Sequence, residues 1–205
     1  MVLPQRNPVV LAKQLATIDH LTEGRLELGI GVGWLKEEFG AIGVPFKRRG
    51  ARMDEYIKSM RALWDRQDAS FDGEFVSFSQ MNCSPKPYNG RVPIIIGGHS
   101  PKAAQRAAHL ADGFFPATGT QTDISPIIQI MHEEAERIDR DPKTIELTTG
   151  CPGALPQSKV DPLSAVEERI TAGVDRIALP VNAFSDNIEE RLTSFSENVI
   201  QKING

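Results

Sequence analysis

Two apolar rhythms alternate along the chain. Between residues 8 and 21, Val9, Leu11, Ala12, Leu15, Ala16, Ile18 and Leu21 recur at helical spacing, which predicts a helix with a wide apolar face. Pro8 suits its first turn and Gly24 its stop. From about 25 to 31 the period drops to two: Leu26, Leu28 and Ile30 are apolar, with Glu27 and Gly29 between them, as in a strand. A polar helical run, Leu35 to Phe39, and a loop over 41–49 containing Gly43 and Pro45 come next. Helices are predicted at about 52–64, 101–111, 125–140, 163–172 and 187–203, and short apolar strands at about 93–97, 113–117, 145–149 and 176–181. Residues 70–81 read as a hairpin, with Asp72-Gly73 as the turn dipeptide between alternating apolar residues. Met1 to Pro4 read as the tail of a strand or a loop. Five short apolar strands alternating with amphipathic helices predict an α/β fold with a parallel sheet, and the connections differ too much in length for a solenoid.

Two strand ends carry candidate chemistry. The first strand ends in Gly29, Gly31 and Gly33, at every second position, with Trp34 next. Glycines there leave one side of the strand bare, so a flat ligand or another backbone can come close. The turn from a strand into a helix is where parallel α/β proteins place ligands. The spacing is GxGxG rather than GxGxxG, which argues against an ordinary dinucleotide site. The competing reading is a buried strand with a glycine bend. The second end is Gly97-Gly98-His99-Ser100-Pro101-Lys102. Ser100 is a good N-cap and Pro101 a good first helical residue, so free amides and a positive helix end would form an anion pocket. A helix cap with no ligand is the competing reading.

Composition narrows the classes. The chain has 205 residues, enough for one core and one domain, 1–205, and it is 40% hydrophobic and 24% charged with a net charge of -4. The densest basic run, Lys47-Arg48-Arg49, reads as a solvated loop, so no nucleic-acid partner is expected. No signal peptide and no long apolar run is visible, so neither export nor a membrane span is expected. Cys83 and Cys151 lack a metal or disulfide pattern and suit a reduced cytoplasmic protein. His20, His99, His109 and His132 show no metal-like spacing, so no metal is expected. No Ser/His/Asp arrangement is readable, and no catalytic residue is assigned. Glu37 and Glu38 fit a solvated first helical turn, where acids suit the helix dipole.

With these residues in place, the chain resembles the luciferase-like monooxygenase superfamily, in its branch of coenzyme F420-dependent oxidoreductases (F420 is a deazaflavin). The resemblance rests on NPVVLAKQLATIDHLTEGRLELGIGVGW, EEFGAIGVPFKRRGARMDEYIKSMRALW and VPIIIGGHSPKAAQRAAHLADGFF, and runs on to AGVDRIALPV. It implies a TIM (β/α)8 architecture of which this chain holds the last five strands, with Met1 near the end of the third. A partial barrel with a small hairpin insertion is therefore expected. It also implies that Gly97, Gly98, His99 and Ser100 hold a flavin or deazaflavin phosphate, and that Gly31, Val32 and Gly33 line the ring's edge. Val32 stands where bacterial luciferase has a phosphate-binding arginine, which favours the deazaflavin over FMN. Trp34 stands where the sugar-phosphate dehydrogenases of the branch have a proton-donating glutamate, and is a candidate to stack on the ring or substrate. Thr118, at the next strand end, is a further cofactor contact. The implied activity is hydride exchange between F420 and a small organic substrate, in a homo-oligomer such as a dimer. The alternatives are an FMN-dependent monooxygenase and a shortened member that binds a flavin without catalysis or is inactive.

Overall fold

The computed structural model describes residues 1–116 and 123–204. Local signals set most of the elements. The Asn7 side chain accepts the amides of Val9 and Val10 and so caps α1 (Pro8–Leu21), whose inner face buries Leu11, Ala12, Leu15 and Ala16. Gly24, at φ +75°, turns the chain back toward the sheet. The first strand, β1 (Leu28–Ile30), is shorter than the alternation suggests. Ahead of it the fully buried Asp19 carboxylate accepts the amides of Leu26 and Tyr88, which fixes residues 25–27 outside the ladder. Then come α2 (Lys36–Ala41) and α3 (Arg49–Asp65), and a hairpin of β2 (Ala69–Asp72) and β3 (Ser77–Met81). Asp72 pairs with Ser77, so the hairpin loop is the four residues 73–76 rather than a two-residue Asp-Gly turn. Glu55 of α3 builds that loop by accepting the amides of Glu74, Phe75 and Val76.

The remaining units repeat strand and helix: β4 (Ile94–Gly97), α4 (Pro101–Leu110), β5 (Gly113–Phe115), α5 (Ser125–Arg137), β6 (Glu146–Thr149), α6 (Pro162–Thr171), β7 (Arg176–Ile177) and α7 (Ile188–Phe195). The single helix expected at 187–203 is interrupted by a π turn, Ser196–Ile200, before a last short helix, Gln201–Asn204. The predicted five-stranded parallel sheet is present, in the order β1-β4-β5-β6-β7. Met1 to Leu3 run along the outer edge of β1, where Val2 bridges Gly31 in parallel.

The register separates two faces. Leu28, Ile30, Ile94, Ile96, Phe114 and Leu147 are buried beneath the helices, with Met53, Ile57, Met60, Trp64 and Met131. Gly29, Ile95, Gly113 and Glu146 align on the opposite face, followed by Gly97 and Phe115. Ile95 lies across the neighbouring strand, where a side chain on Gly113 would meet its Cδ1. On that face Arg176 of β7 pairs with Glu27, which precedes β1 at the other edge, and with Glu146. In a flat sheet the edges would stand about 19 Å apart, four strand spacings, so the pair requires a curved sheet. The five strands thus form a barrel wall with helices outside and an open concave face within. Among the described residues no helix is long and apolar enough to cross a membrane, and no His, Cys, Asp and Glu cluster suits a metal.

Candidate functional site

Because β1 and β4 are parallel neighbours, their glycine-rich ends lie side by side at the same rim of the sheet. A side chain on Gly31 would come no nearer than 3.9 Å to the Gly97 carbonyl, and one on Gly97 no nearer than 3.6 Å to that of Ile30. Around Gly29 a side chain would meet nothing within 4 Å. The protein itself therefore has room for a methyl group at all three. They form a bare strip on the concave face, beside half-exposed Ile95 and Phe115.

Two other glycines differ. Gly33, at φ +76°, would drive a side chain to 2.6 Å from Val2 and 2.9 Å from Phe39. Gly98, at φ +153°, would bring one to 2.7 Å from Ala103. Backbone conformation and packing require these two glycines.

At the β4 end, Ser100 caps α4 by accepting the Ala103 amide at 3.2 Å, and Pro101 opens the helix, as predicted. The Ser100 carbonyl accepts from Ala103 and Ala104. The amides of His99, Ser100 and Lys102 have no partner among the described residues, and the Ser100 hydroxyl keeps its proton to donate. The side chains of His99 and Ser100 are exposed. The Gly98 amide is taken by the Phe115 carbonyl at 3.1 Å, so Gly98 brings no donor to the pocket. In the same way the Met1 carbonyl takes the Gly31 amide at 2.9 Å. Val32 and Gly33 keep amides without partners among the described residues.

Trp34 stands at the rim and is 81% exposed. Thr118 lies outside the described residues. Lys47 and Arg48 lie exposed in a turn, as expected, with Arg48 paired to an equally exposed Glu74, but Arg49 opens α3 and donates through Nε to the Gly33 carbonyl. Spacing in the sequence could not reveal that contact, because it joins positions sixteen apart. Glu37 and Glu38 are exposed in the first turn of α2. His109 pairs with Glu134 between α4 and α5, on the helix side.

The donor set suits a phosphate: three free amides, a hydroxyl and the positive end of a ten-residue helix. The bare strip suits a flat ring, since a side chain at Gly29, Gly31 or Gly97 would occupy space that the protein leaves empty. Of the side chains at these two strand ends, from Gly29 to Trp34 and from Gly97 to Ser100, only His99 carries an acid or base group. The arrangement can bind and orient a ligand and exclude water beneath it. It offers little acid–base chemistry of its own.

Comparisons with known proteins bear on the family and the fold. The chain is 37% identical over 130 residues to an uncharacterized protein of Mycobacterium tuberculosis, covering 63% of this chain but 46% of that one. It is 41% identical over 111 residues to an FMNH(2)-dependent dimethylsulfone monooxygenase of Pseudomonas fluorescens, covering 53% of this chain and 30% of that one. It therefore spans less than half the length of these two relatives. Among solved structures, the monooxygenase RslO1 from Streptomyces bottropensis superposes with a TM-score of 0.80 at 20% identity, over 98% of this chain and 75% of that one. The coenzyme F420-dependent tetrahydromethanopterin reductase from Methanopyrus kandleri gives 0.78 at 14% identity, over 96% and 80%. These two likenesses concern the fold, which is that of TIM-barrel-like proteins. The sequence profile described as luciferase-like monooxygenase matches residues 1–184, so the chain belongs to that family.

Proposed function

We propose that this chain binds a phosphorylated deazaflavin, coenzyme F420, across the ends of β1 and β4, and serves an oxidoreductase that exchanges a hydride between it and a small organic substrate. The observation that carries the reading is the pairing of a bare glycine strip with unpartnered amides and a capping hydroxyl on the adjacent strand end. His99, Ser100 and Lys102 would hold the phosphate with backbone amides and the Ser100 hydroxyl. Gly29, Gly31 and Gly97 would let the ring lie against the sheet, with Val32 and Gly33 at its edge and Trp34 above the rim. The bound group supplies the hydride chemistry, and the protein supplies orientation and charge.

A second reading is an FMN-dependent monooxygenase, favoured by the FMNH(2)-dependent relative. A third is a binder without catalysis, favoured by the curved but unclosed sheet and by the lack of an acid or base at the strand ends beyond His99. An open wall with apolar positions on its concave face favours association, so we read the working form as a cytoplasmic homo-oligomer in which the wall is covered. Parallel fluorescence titrations with F420 and FMN test the choice. Saturable binding of F420 with weaker binding of FMN supports the first reading. Tight FMN binding with none of F420 replaces it with the second, and turnover of no substrate by a protein that binds either cofactor leaves the third.

A further inference from the structure

The rim segment after β1 does not hold its own shape. Gly33 lies at φ +76° above Phe39, a fully buried ring, and its carbonyl accepts Arg49 Nε at 2.9 Å. Arg49 is the first residue of α3, and its guanidinium sits 4.0 Å over the Phe46 ring. Phe46 in turn meets Phe39 edge-on, with ring centres 5.3 Å apart. The backbone of Gly33 is thus gripped from one side by a ring and at its oxygen by a charge-assisted hydrogen bond.

Arg49 has no carboxylate partner among the described residues, whereas Arg48 pairs with Glu74 and Arg106 with Asp54. A carbonyl and an aromatic face hold it in place of an acid. Only a planar guanidinium can donate in its plane while its face stacks, so lysine is a poor substitute. The residues whose direction this grip sets are Val32 and Trp34, the immediate neighbours of Gly33.

We propose that Arg49 is the positioning residue of the candidate site: by fixing the Gly33 carbonyl it aims Val32 and Trp34 at the rim where the ring would lie. Its consequence for ligand binding rests on the proposed function, while the grip on the rim is a property of the free protein. Trp34 reports on it directly. The other tryptophan, Trp64, is 2% exposed, so the difference between each protein and its Trp34→Phe counterpart isolates the Trp34 signal.

The test is to make Arg49→Met and Arg49→Lys, and to measure Trp34 emission anisotropy, thermal midpoint and F420 and FMN affinity. Both variants should melt a few degrees below the parent, because the bond they lose lies within the free protein, show lower Trp34 anisotropy, and bind the preferred cofactor about tenfold more weakly, because a loosened rim must be ordered on binding. Unchanged anisotropy in both variants overturns the proposal, and so does full recovery of anisotropy and affinity in Arg49→Lys, since charge alone would then suffice. If Arg49→Met does not fold, Arg49→Lys carries the test by itself. If the parent binds neither cofactor, the functional reading fails while the anisotropy still decides the role of Arg49.

Discussion

The two strand ends that make up the candidate site are built by opposite means. The β4 end is local: Gly97 to Lys102 supply the strand terminus, the cap and the first helical turn within six consecutive residues. The β1 end is long-range: Gly33 is held by Val2, Phe39 and Arg49, from three separate parts of the chain. The contrast teaches that a capped helix start with free amides can be written into a short segment, whereas the shape of the glycine rim needs the finished tertiary structure.

The sharpest way to break this comparison is to add one methyl group at each of two glycines. Gly33→Ala should cost roughly 2–4 kcal/mol, from the positive φ and from collision with Val2 and Phe39. Gly31→Ala, two positions earlier, should cost under about 1 kcal/mol. Denaturant melts of the two variants check the difference. The order should invert for the ligand: Gly31→Val should leave a folded protein whose cofactor affinity falls at least about tenfold, because it fills the strip. Equal stability losses at 31 and 33 would erase the distinction between the two kinds of glycine.

Ser100 sharpens the other side. Ser100→Ala should lose about 1 kcal/mol of cap energy as well as the hydroxyl. Thermal melts alongside titrations separate the two losses.

How much of this was legible in the sequence follows the same division. The cap at Ser100, Pro101 at the helix start, α1 and the five-stranded parallel sheet all announce themselves through neighbours a few positions apart. In the sequence Gly29, Gly31 and Gly33 look alike, and only the fold separates two that face open space from one pinned by Phe39. The hairpin loop was misread because its organiser, the Glu55 carboxylate, arrives from α3. In Lys47-Arg48-Arg49 the first two residues are solvated, as the pattern suggests, but a one-dimensional pattern cannot show the Gly33 carbonyl that Arg49 meets in space. The interrupted last helix has no signal in its residues that we can identify.

The smallest expected effect concerns the pair that joins the two sheet edges. The hydrogen bond from Arg176 lowers the Glu27 pKa below its ordinary value of 4.5. The carboxylate is depressed in the folded state, so its stabilising contribution is complete above that ordinary value and fades as pH falls through the lowered one. Arg176→Met should therefore melt slightly below the parent at pH 7, with the gap narrowing as the pH falls below that ordinary value. A gap independent of pH would mean that packing of the arginine stem, rather than the charge pair, joins the edges.

The most direct test of the site as a whole is a cofactor titration of Ser100→Asp. Aspartate is as good an N-cap as serine, yet it puts a negative charge where the phosphate would sit. The account predicts a protein that melts with the parent and has lost saturable binding of F420 and FMN. Binding at parental affinity in Ser100→Asp would contradict it.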